Sequence, residues 1–340
     1  MKLLELPNVR KSLITLIAVF ATLITPYTSH AANNIKIAMV YDVGGRGDKS
    51  FDDAAALGID RAKKRYGLSN LSVRELVTVG TEFDRENRLE FLAKAGYNII
   101  IAVGPSFVNS VSYIAAKFPD SQFAIVDDAS IGQINVASLG FRQDQGSFLA
   151  GVSAALNSKS GKIAYIGDAV LHNNSDQNNF IAGAKYAAPK VKVTPRQVTG
   201  ALGTEVLNLS KAGNDVIYST WSRNGDVLTA VTAQNKAKRS LKLIGISPDQ
   251  FFLKSKAASS VLIGYVNKRY DNAVDDIAGI TIAGKTLTEF IDPDAGVYGR
   301  MYSLTNSGVT FVSVNSNQTA ISAVAQAKSE LLNKKIAVVK

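Results

Sequence analysis

The stretch IKIAMVYDVGGRGDKSF, residues 35–51, joins an apolar run to a glycine-rich loop and the start of a helix. The run 35–42 has the character of a buried strand and ends in Asp42. Apolar side chains then recur at helical spacing from Phe51 to Tyr66, and Gly67 ends the helix. Because a buried strand followed by a helix is the repeating unit of parallel sheets, the stretch predicts an α/β fold.

The loop within this stretch allows three interpretations. It has the glycines, lysine and serine of a phosphate-binding loop, but Asp48 stands where the motif G-x-x-x-x-G-K-[ST] requires glycine, and its carboxylate would repel phosphate. The triplet Arg46-Gly47-Asp48 matches an adhesion signal of very low specificity. The rim of a binding cleft is the interpretation that fits these residue types best.

In a cleft rim, Gly44 lets the backbone pass close to a ligand, and Asp42 accepts hydrogen bonds at the strand end. Ser50 begins the helix, and Phe51 on its first turn offers a ring for stacking. A carboxylate beside an aromatic ring suits a ligand that has hydroxyl groups and a flat ring. The alternative for Phe51 is a core position of the helix.

The N-terminus has the order of a secretory signal, for which we predict residues 1–31. Lys2, Arg10 and Lys11 precede an uncharged apolar stretch, and small residues follow up to Ala31. The apolar stretch is shorter than the roughly 20 residues of a spanning helix, and no later run has that length. We therefore expect an exported protein, peripheral to a membrane at most. An uncleaved N-terminal anchor is the alternative.

The composition narrows the classes of function. The chain has no cysteine, so we expect a periplasmic or extracellular protein that is not lipid-anchored through cysteine. Its net charge is +10, but the basic residues are spread out, which favours solvated helix faces over nucleic-acid binding. With His172 as the only histidine beyond the signal, we expect no metal site, cofactor or His-assisted nucleophile. We also expect a monomer.

Two pairs of similar segments within the chain, called internal echoes below, predict a pair of similar α/β lobes. Residues 92–104, LAKAGYNIIIAVG, are matched by 209–221, LSKAGNDVIYSTW, and residues 35–42 are matched by 161–168, GKIAYIGD. In open parallel sheets, ligands bind beyond the carboxyl ends of the strands. Two such edges that face each other would make a cleft that closes around a solute.

Several residues at predicted strand ends are candidates for the walls of this cleft. Phe107 and Asp127 follow strands of the first lobe. Trp221, the only tryptophan, follows DVIYST in the second lobe, where it could lie opposite Phe51 and complete an aromatic sandwich; the alternative is a packing residue. An exported hydrolase that uses a pair of carboxylates stays open as a second class of function, because aspartates recur at such strand ends, namely Asp127, Asp128, Asp168 and Asp249.

The motifs of this chain resemble those of the basic membrane protein family of solute-binding proteins, which serve ABC importers and include purine nucleoside receptors. The family's opening motif, D-x-G-G-x-x-D-K-S-F, is matched throughout by residues 42–51. Further matches follow in order at 123–127 (FAIVD), 136–156 (VASLGFRQDQGSFLAGVSAAL), 212–220 (AGNDVIYST), 244–250 (IGISPDQ) and 267–271 (NKRYD).

The resemblance implies a type I periplasmic-binding-protein fold, with two Rossmann-like lobes joined by three hinge crossovers. It implies an N-terminal lobe of residues 32–130 plus about 262–300, and a C-terminal lobe of about 131–255 plus 301–340. It also implies a receptor rather than an enzyme, with permease subunits of an ABC transporter as partners. A ligand sensor for a membrane receptor is the alternative role.

In nucleoside-binding relatives, rings from both lobes stack on the base, carboxylates hold the ribose hydroxyls and a lysine contributes beside them. The positions that match these roles are Asp42, Phe51, Asp127, Asp249 and Lys268. The chain departs from the family at Ser247, where the pattern has aspartate, at the turn WSRNG, residues 221–225, and in lacking a lipobox cysteine. A purine nucleoside is the expected ligand, with a different ring-bearing or polyol solute as the alternative.

Overall fold

The computed structural model describes residues 35–169, 174–221, 224–246 and 256–339. The predicted signal segment, His172, Ser247 and Asp249 lie outside these residues. The described strands are β1 (Ile37–Tyr41), β2 (Val73–Val77), β3 (Ile99–Val103), β4 (Phe123–Val126), β5 (Val136–Phe141), β6 (Lys162–Asp168), β7 (Lys192–Val198), β8 (Val216–Ser219), β9 (Lys242–Ile246), β10 (Leu262–Lys268), β11 (Ile291–Asp292), β12 (Val297–Tyr302) and β13 (Val309–Ser313). The described α-helices are α1 (Phe51–Tyr66), α2 (Glu82–Lys94), α3 (Val108–Lys117), α4 (Gln143–Asn157), α5 (Asn174–Ala187), α6 (Leu202–Lys211), α7 (Asn224–Lys236), α8 (Ala258–Val261), α9 (Tyr270–Ile282) and α10 (Gln318–Leu332).

The strands form two sheets, one in each lobe. The first sheet has the order β11-β12-β5-β4-β3-β1-β2, and the second has the order β13-β10-β9-β8-β6-β7. All neighbours pair in parallel except β11 with β12 and β10 with β13. The predicted α/β fold with two lobes is therefore confirmed.

The internal echoes fall on equivalent parts of the two sheets. Strand β1 lies between β3 and β2, and its echo β6 lies between β8 and β7. The second echo covers the end of α2 with β3 in one lobe and the end of α6 with β8 in the other. Both lobes therefore place the carboxyl ends of corresponding strands at the same edge, which is where a ligand site is expected.

The sheet membership of two strands differs from the expected lobe boundaries. Val136–Phe141 pairs with β4 and β12 in the first sheet, although a boundary at 130 assigned it to the C-terminal lobe. Leu262–Lys268 pairs with β9 and β13 in the second sheet, although it was assigned to the N-terminal lobe. Both strands are fully or almost fully buried, and an apolar run does not reveal which of two similar sheets it joins.

The chain crosses between the lobes three times, after β5, after β10 and between β12 and β13. The crossing segments are hydrogen-bonded to one another: the Arg142 amide donates to the Tyr302 carbonyl at 2.7 Å, and the Arg269 amide donates to the Gly308 carbonyl at 2.9 Å. The hinge is thus a set of adjacent backbone segments with satisfied amides rather than a flexible linker.

Helices cover both faces of each sheet and bury separate cores. In the first lobe, α1 and α9 pack on one face, while α2 and α3 pack on the other. In the second lobe, α4 and α5 approach so closely that a Cβ atom at Gly183 would lie 1.9 Å from the Phe148 carbonyl oxygen. No helix in the described part of the chain is both long and apolar enough to span a membrane.

Candidate functional site

A cleft of about 840 Å³ lies between the lobes at the carboxyl ends of the strands. Its walls consist of residues at strand ends and in first helical turns of both lobes. Strands β1 and β4 of the first lobe and β6 and β8 of the second all end at this cleft. The first-lobe lining includes Asp42, Phe51, Asp52, Ser106, Asp127, Asp128, Phe141 and Tyr270. The second-lobe lining includes Gln143, Tyr165, Asp168, Asp176, Gln197, Thr220, Ile246 and Lys268.

The glycine-rich loop directs its backbone amides at its own carboxylates. Asp48 accepts hydrogen bonds from the amides of Ser50, Asp52 and Asp53 at 2.7–3.2 Å, and so caps helix α1. Asp52 in turn accepts the Gly45 amide at 3.0 Å. Because these donors are occupied by carboxylates, the loop is not arranged to cradle a phosphate.

The arginine of the Arg-Gly-Asp triplet has a structural role. The Arg46 guanidinium makes two hydrogen bonds to Asp60, at 2.7 and 2.8 Å, and two to Glu75, at 2.6 and 2.8 Å. It thereby joins the loop to α1 and to β2. These paired contacts fix the guanidinium to its own domain and account for its place in the loop without an adhesion partner.

Asp42 lies on the cleft wall and is held by three side chains. Arg85 donates to both of its oxygens at 3.0 Å, Ser106 donates at 2.6 Å and Thr78 at 3.0 Å. Burial opposes ionisation of Asp42, but the hydrogen bonds from Ser106 and Arg85 outweigh it and hold the pKa of this carboxyl below its usual range. Asp42 is therefore an oriented anionic acceptor.

A second carboxylate, Asp127, joins the lobes at the base of the cleft. It forms an ion pair with Lys268, whose side chain is 7% exposed, and accepts a hydrogen bond from the Tyr270 hydroxyl at 2.5 Å. Its backbone has a φ of 73°, a left-handed conformation that is uncommon outside glycine and is found at functional sites. Because Lys268 ends a second-lobe strand, this ion pair spans the hinge.

Aromatic rings surround the lysine of this pair. The ring centroids of Phe51 and Tyr270 are 4.8 Å apart, and Phe141 stacks on Tyr270 at 5.2 Å. The Lys268 ammonium lies 5.2 Å from the Phe51 centroid, within the range of a cation–π interaction. Phe51 is half-buried and lines the same cleft as Asp42 and Asp127.

The second-lobe wall contains a buried carboxylate. Asp176, in the first turn of α5, is 2% exposed and accepts hydrogen bonds from Gln143 and from the Ser147 hydroxyl. Burial raises the pKa of Asp176 to about 7, and the nearby Lys268 and these hydrogen bonds only partly offset it. On the same wall, the hydroxyls of Tyr165 and Thr220 lie 2.9 Å apart.

The structure brings together four of the predicted site residues. Asp42, Phe51, Asp127 and Lys268 all line the cleft. Gly44 and Ser50 do not line it. Gly44, with a φ of 117°, and Ser50, at the start of α1, shape the loop that carries Phe51.

Two predicted site residues lie in the cores instead. Phe107 is fully buried against first-lobe side chains, because a 3₁₀ turn over 105–107 directs it inward and leaves Ser106 in the cleft. Trp221 is 4% exposed and packs within the second-lobe core, while the preceding Thr220 lines the cleft. Trp221 therefore does not face Phe51 in an aromatic sandwich.

Several lining residues were missed by sequence reasoning. Phe141 and Tyr270 stand inside the motifs at 136–156 and 267–271, so the signal was present, but neither ring was named as a candidate. Asp176 and Gln197 belong to no motif, and their role depends on how α5 and β7 meet the cleft. Among the described residues, no group of three metal-binding side chains is assembled.

Comparison with known proteins gives the family. Residues 35–336 match the family model for PnrA-like ABC transporter substrate-binding proteins. The chain is 29% identical over 328 residues to the ABC transporter nucleoside-binding protein BmpA of Lactococcus lactis, covering 90% of this chain and 89% of that protein. It is 28% identical over 271 residues to a CD4+ T-cell-stimulating antigen of Listeria innocua, covering 75% of each.

Solved structures support the same architecture. An ABC transporter solute-binding protein from Aeropyrum pernix superposes with a TM-score of 0.70 at 19% identity, covering 90% of this chain and 93% of that one. A second one from Conexibacter woesei gives a TM-score of 0.67 at 16% identity, with 90% and 98% covered. The family binds solutes and is not a family of enzymes, which removes the carboxylate hydrolase from consideration. The chain belongs to the PnrA-like family of ABC transporter substrate-binding proteins.

Proposed function

We propose that the protein is an exported receptor that binds a purine nucleoside in the cleft and delivers it to the permease subunits of an ABC importer. The observation that carries this proposal is the position of the Phe51 ring beside the Asp127–Lys268 pair on the wall of an 840 Å³ cleft. A flat ring next to oriented carboxylates complements a base joined to a sugar. The nucleoside-binding relative from Lactococcus lactis supports the same ligand class.

In the proposed complex, the base stacks on Phe51, and the ribose hydroxyls donate to Asp127 and to Asp42, where one of them takes the place of the Ser106 hydroxyl. Stacking of a base on an aromatic ring contributes about 1 to 3 kcal/mol. A hydrogen bond to a charged acceptor contributes about 1.5 to 3 kcal/mol. Because the cleft has walls from both lobes, contacts of one ligand with the two walls favour closure about the hinge.

Further parts of the proposal concern location and assembly. We propose that residues 1–31 direct export and that the mature protein acts outside the cytoplasm as a monomer. The sequence contains no cysteine, so we propose that no lipid is attached through that side chain.

Mass spectrometry of the natively purified and then denatured protein tests the ligand, followed by calorimetric titration with any compound released. We expect a nucleoside in near one-to-one ratio. Phe51→Leu should weaken its binding about tenfold, because it removes a stacking surface. Phe83→Leu is the matched control, since Phe83 is 73% exposed and lies outside the cleft lining. Failure to retain or bind any nucleoside would refute the proposed ligand.

A further inference from the structure

The cleft is lined by aspartates rather than by basic side chains, although the whole chain carries a formal net charge of +10. Six aspartates line it, whereas Lys268 is the only lysine or arginine among its described lining residues. Lys268 is committed to Asp127, and Asp42 is paired with Arg85 from behind the wall. The cleft lining therefore offers a ligand mainly hydrogen-bond acceptors.

Asp176 is the most deeply buried of these acceptors. Its hydrogen-bond donors, Gln143 and Ser147, are neutral, and no salt bridge forms to it within the described residues. Taking an ionised carboxylate out of water without a counter-charge is costly, and the raised pKa of Asp176 reflects that cost. A group that donates an N–H at this wall would reduce the cost.

Gln197 provides independent support for an acceptor-rich wall. Its amide nitrogen donates to the Gln177 side chain at 3.3 Å, which places it beside the first turn of α5, where Asp176 lies. The other end of the amide, Oε1, is buried without a hydrogen-bond partner among the described residues. A buried acceptor without a donor is uncommon in proteins and indicates a missing partner.

We propose that Asp176 and Gln197 form a second-lobe subsite that accepts hydrogen bonds from an amino group on the ligand's base. The inference rests on the proposed nucleoside function and names the class of nucleoside: an amino-substituted purine. An N–H group with partial positive charge complements both the carboxylate and the amide oxygen. A base that presents only acceptors at this edge would leave the Gln197 Oε1 atom without a donor and would turn its lone pairs towards the Asp176 carboxyl group, so it would bind more weakly.

Two nucleosides that differ only in amino groups test the subsite: 2,6-diaminopurine riboside and purine riboside. Calorimetric titration of the full-length protein should give at least tenfold tighter binding for the diamino compound. Asp176→Asn and Gln197→Leu should each reduce that ratio at least threefold. Asp120→Asn, on an exposed turn, is the matched control and should leave the ratio unchanged.

The ribose contribution cancels in the affinity ratio, and the difference in stacking between the two bases cancels when the ratio is compared between the unmodified protein and a variant. Equal affinities in the unmodified protein would overturn the subsite while leaving nucleoside binding in place, and this outcome needs no variant to fold. A ratio that persists unchanged in folded samples of both variants would also overturn the assignment to Asp176 and Gln197.

If neither nucleoside binds, the proposed function fails, and a second pair of probes decides the subsite alone. Benzamidine and benzoate share a ring but differ in presenting N–H donors or a carboxylate. Thermal stabilisation by benzamidine alone, lost in Asp176→Asn, would retain a donor-binding subsite for another ligand. Equal effects of the two probes, or no effect of either, would overturn it.

Discussion

Replacing Lys268 with methionine should destabilise the protein through the ion pair that spans the hinge. Lys268 and Asp127 have side chains only 7% and 16% exposed, so water in the cleft solvates only part of the carboxylate that the substitution leaves behind. Removing one partner of such a buried pair costs about 3 to 5 kcal/mol. The Tyr270 hydroxyl still donates to Asp127, which places the expected loss near the lower end of this range.

A double-mutant cycle measures the pair itself. Urea unfolding of the unmodified protein, Lys268→Met, Asp127→Asn and the double variant gives the four free energies of unfolding. Either single change leaves one buried charge without its counter-ion, whereas the double change removes both charges. We therefore expect the double variant to lose at least 2 kcal/mol less than the sum of the single losses, a margin on the order of known coupling energies. Additivity to within about 0.5 kcal/mol would refute the inference that these groups stabilise each other across the hinge.

Three further predictions concern residues around the cleft. Burial and the neighbouring carboxylate of Asp48 raise the pKa of Asp52 to about 8, so the folded protein keeps a proton that the unfolded chain releases near pH 4. Stability should fall as pH rises from about 4 to about 8, and Asp52→Asn should raise Tm more at pH 8.5 than at pH 5; equal gains would contradict the shift. Trp221→Ala should cost about 3 to 5 kcal/mol of unfolding free energy in urea and change ligand affinity less than threefold, whereas a large affinity loss with intact stability would return the ring to the cleft. Gly183→Ala should lower Tm by several degrees in calorimetry, because its methyl group would meet the Phe148 carbonyl; an unchanged Tm would show that the helices can separate freely.

The fold could be predicted from sequence because its signals are local and repeated. Strand-then-helix segments and two echoes in matching order are enough to indicate paired parallel sheets. The membership of β5 and β10 in their sheets could not be predicted in the same way. Both strands are buried, and their sequences do not indicate which strands they pair with. The positions at which the chain crosses between the lobes therefore depend on tertiary pairing.

The candidate site was predictable where a residue directly ends a strand. Asp42 and Asp127 lie at such ends and line the cleft, as does Lys268. Phe107 and Trp221 lie one or more residues further on, where the chain has already turned and side-chain direction depends on the local φ and ψ. Tyr270 begins a helix after a crossover, and only the packing of α9 against α1 brings its ring to Phe51.

The pairing of β12 with β5 determines how late in synthesis the first sheet can be completed. Strand β12 ends at Tyr302, yet it is hydrogen-bonded beside a strand that ends at Phe141. A ribosome must therefore add about 160 residues, most of the second lobe among them, before the first sheet can be completed. Such a wide sequence separation favours slow, late closure of the first lobe. Until then the edge of β5 that pairs with β12, and the sheet face that α9 covers, stay exposed on the nascent chain.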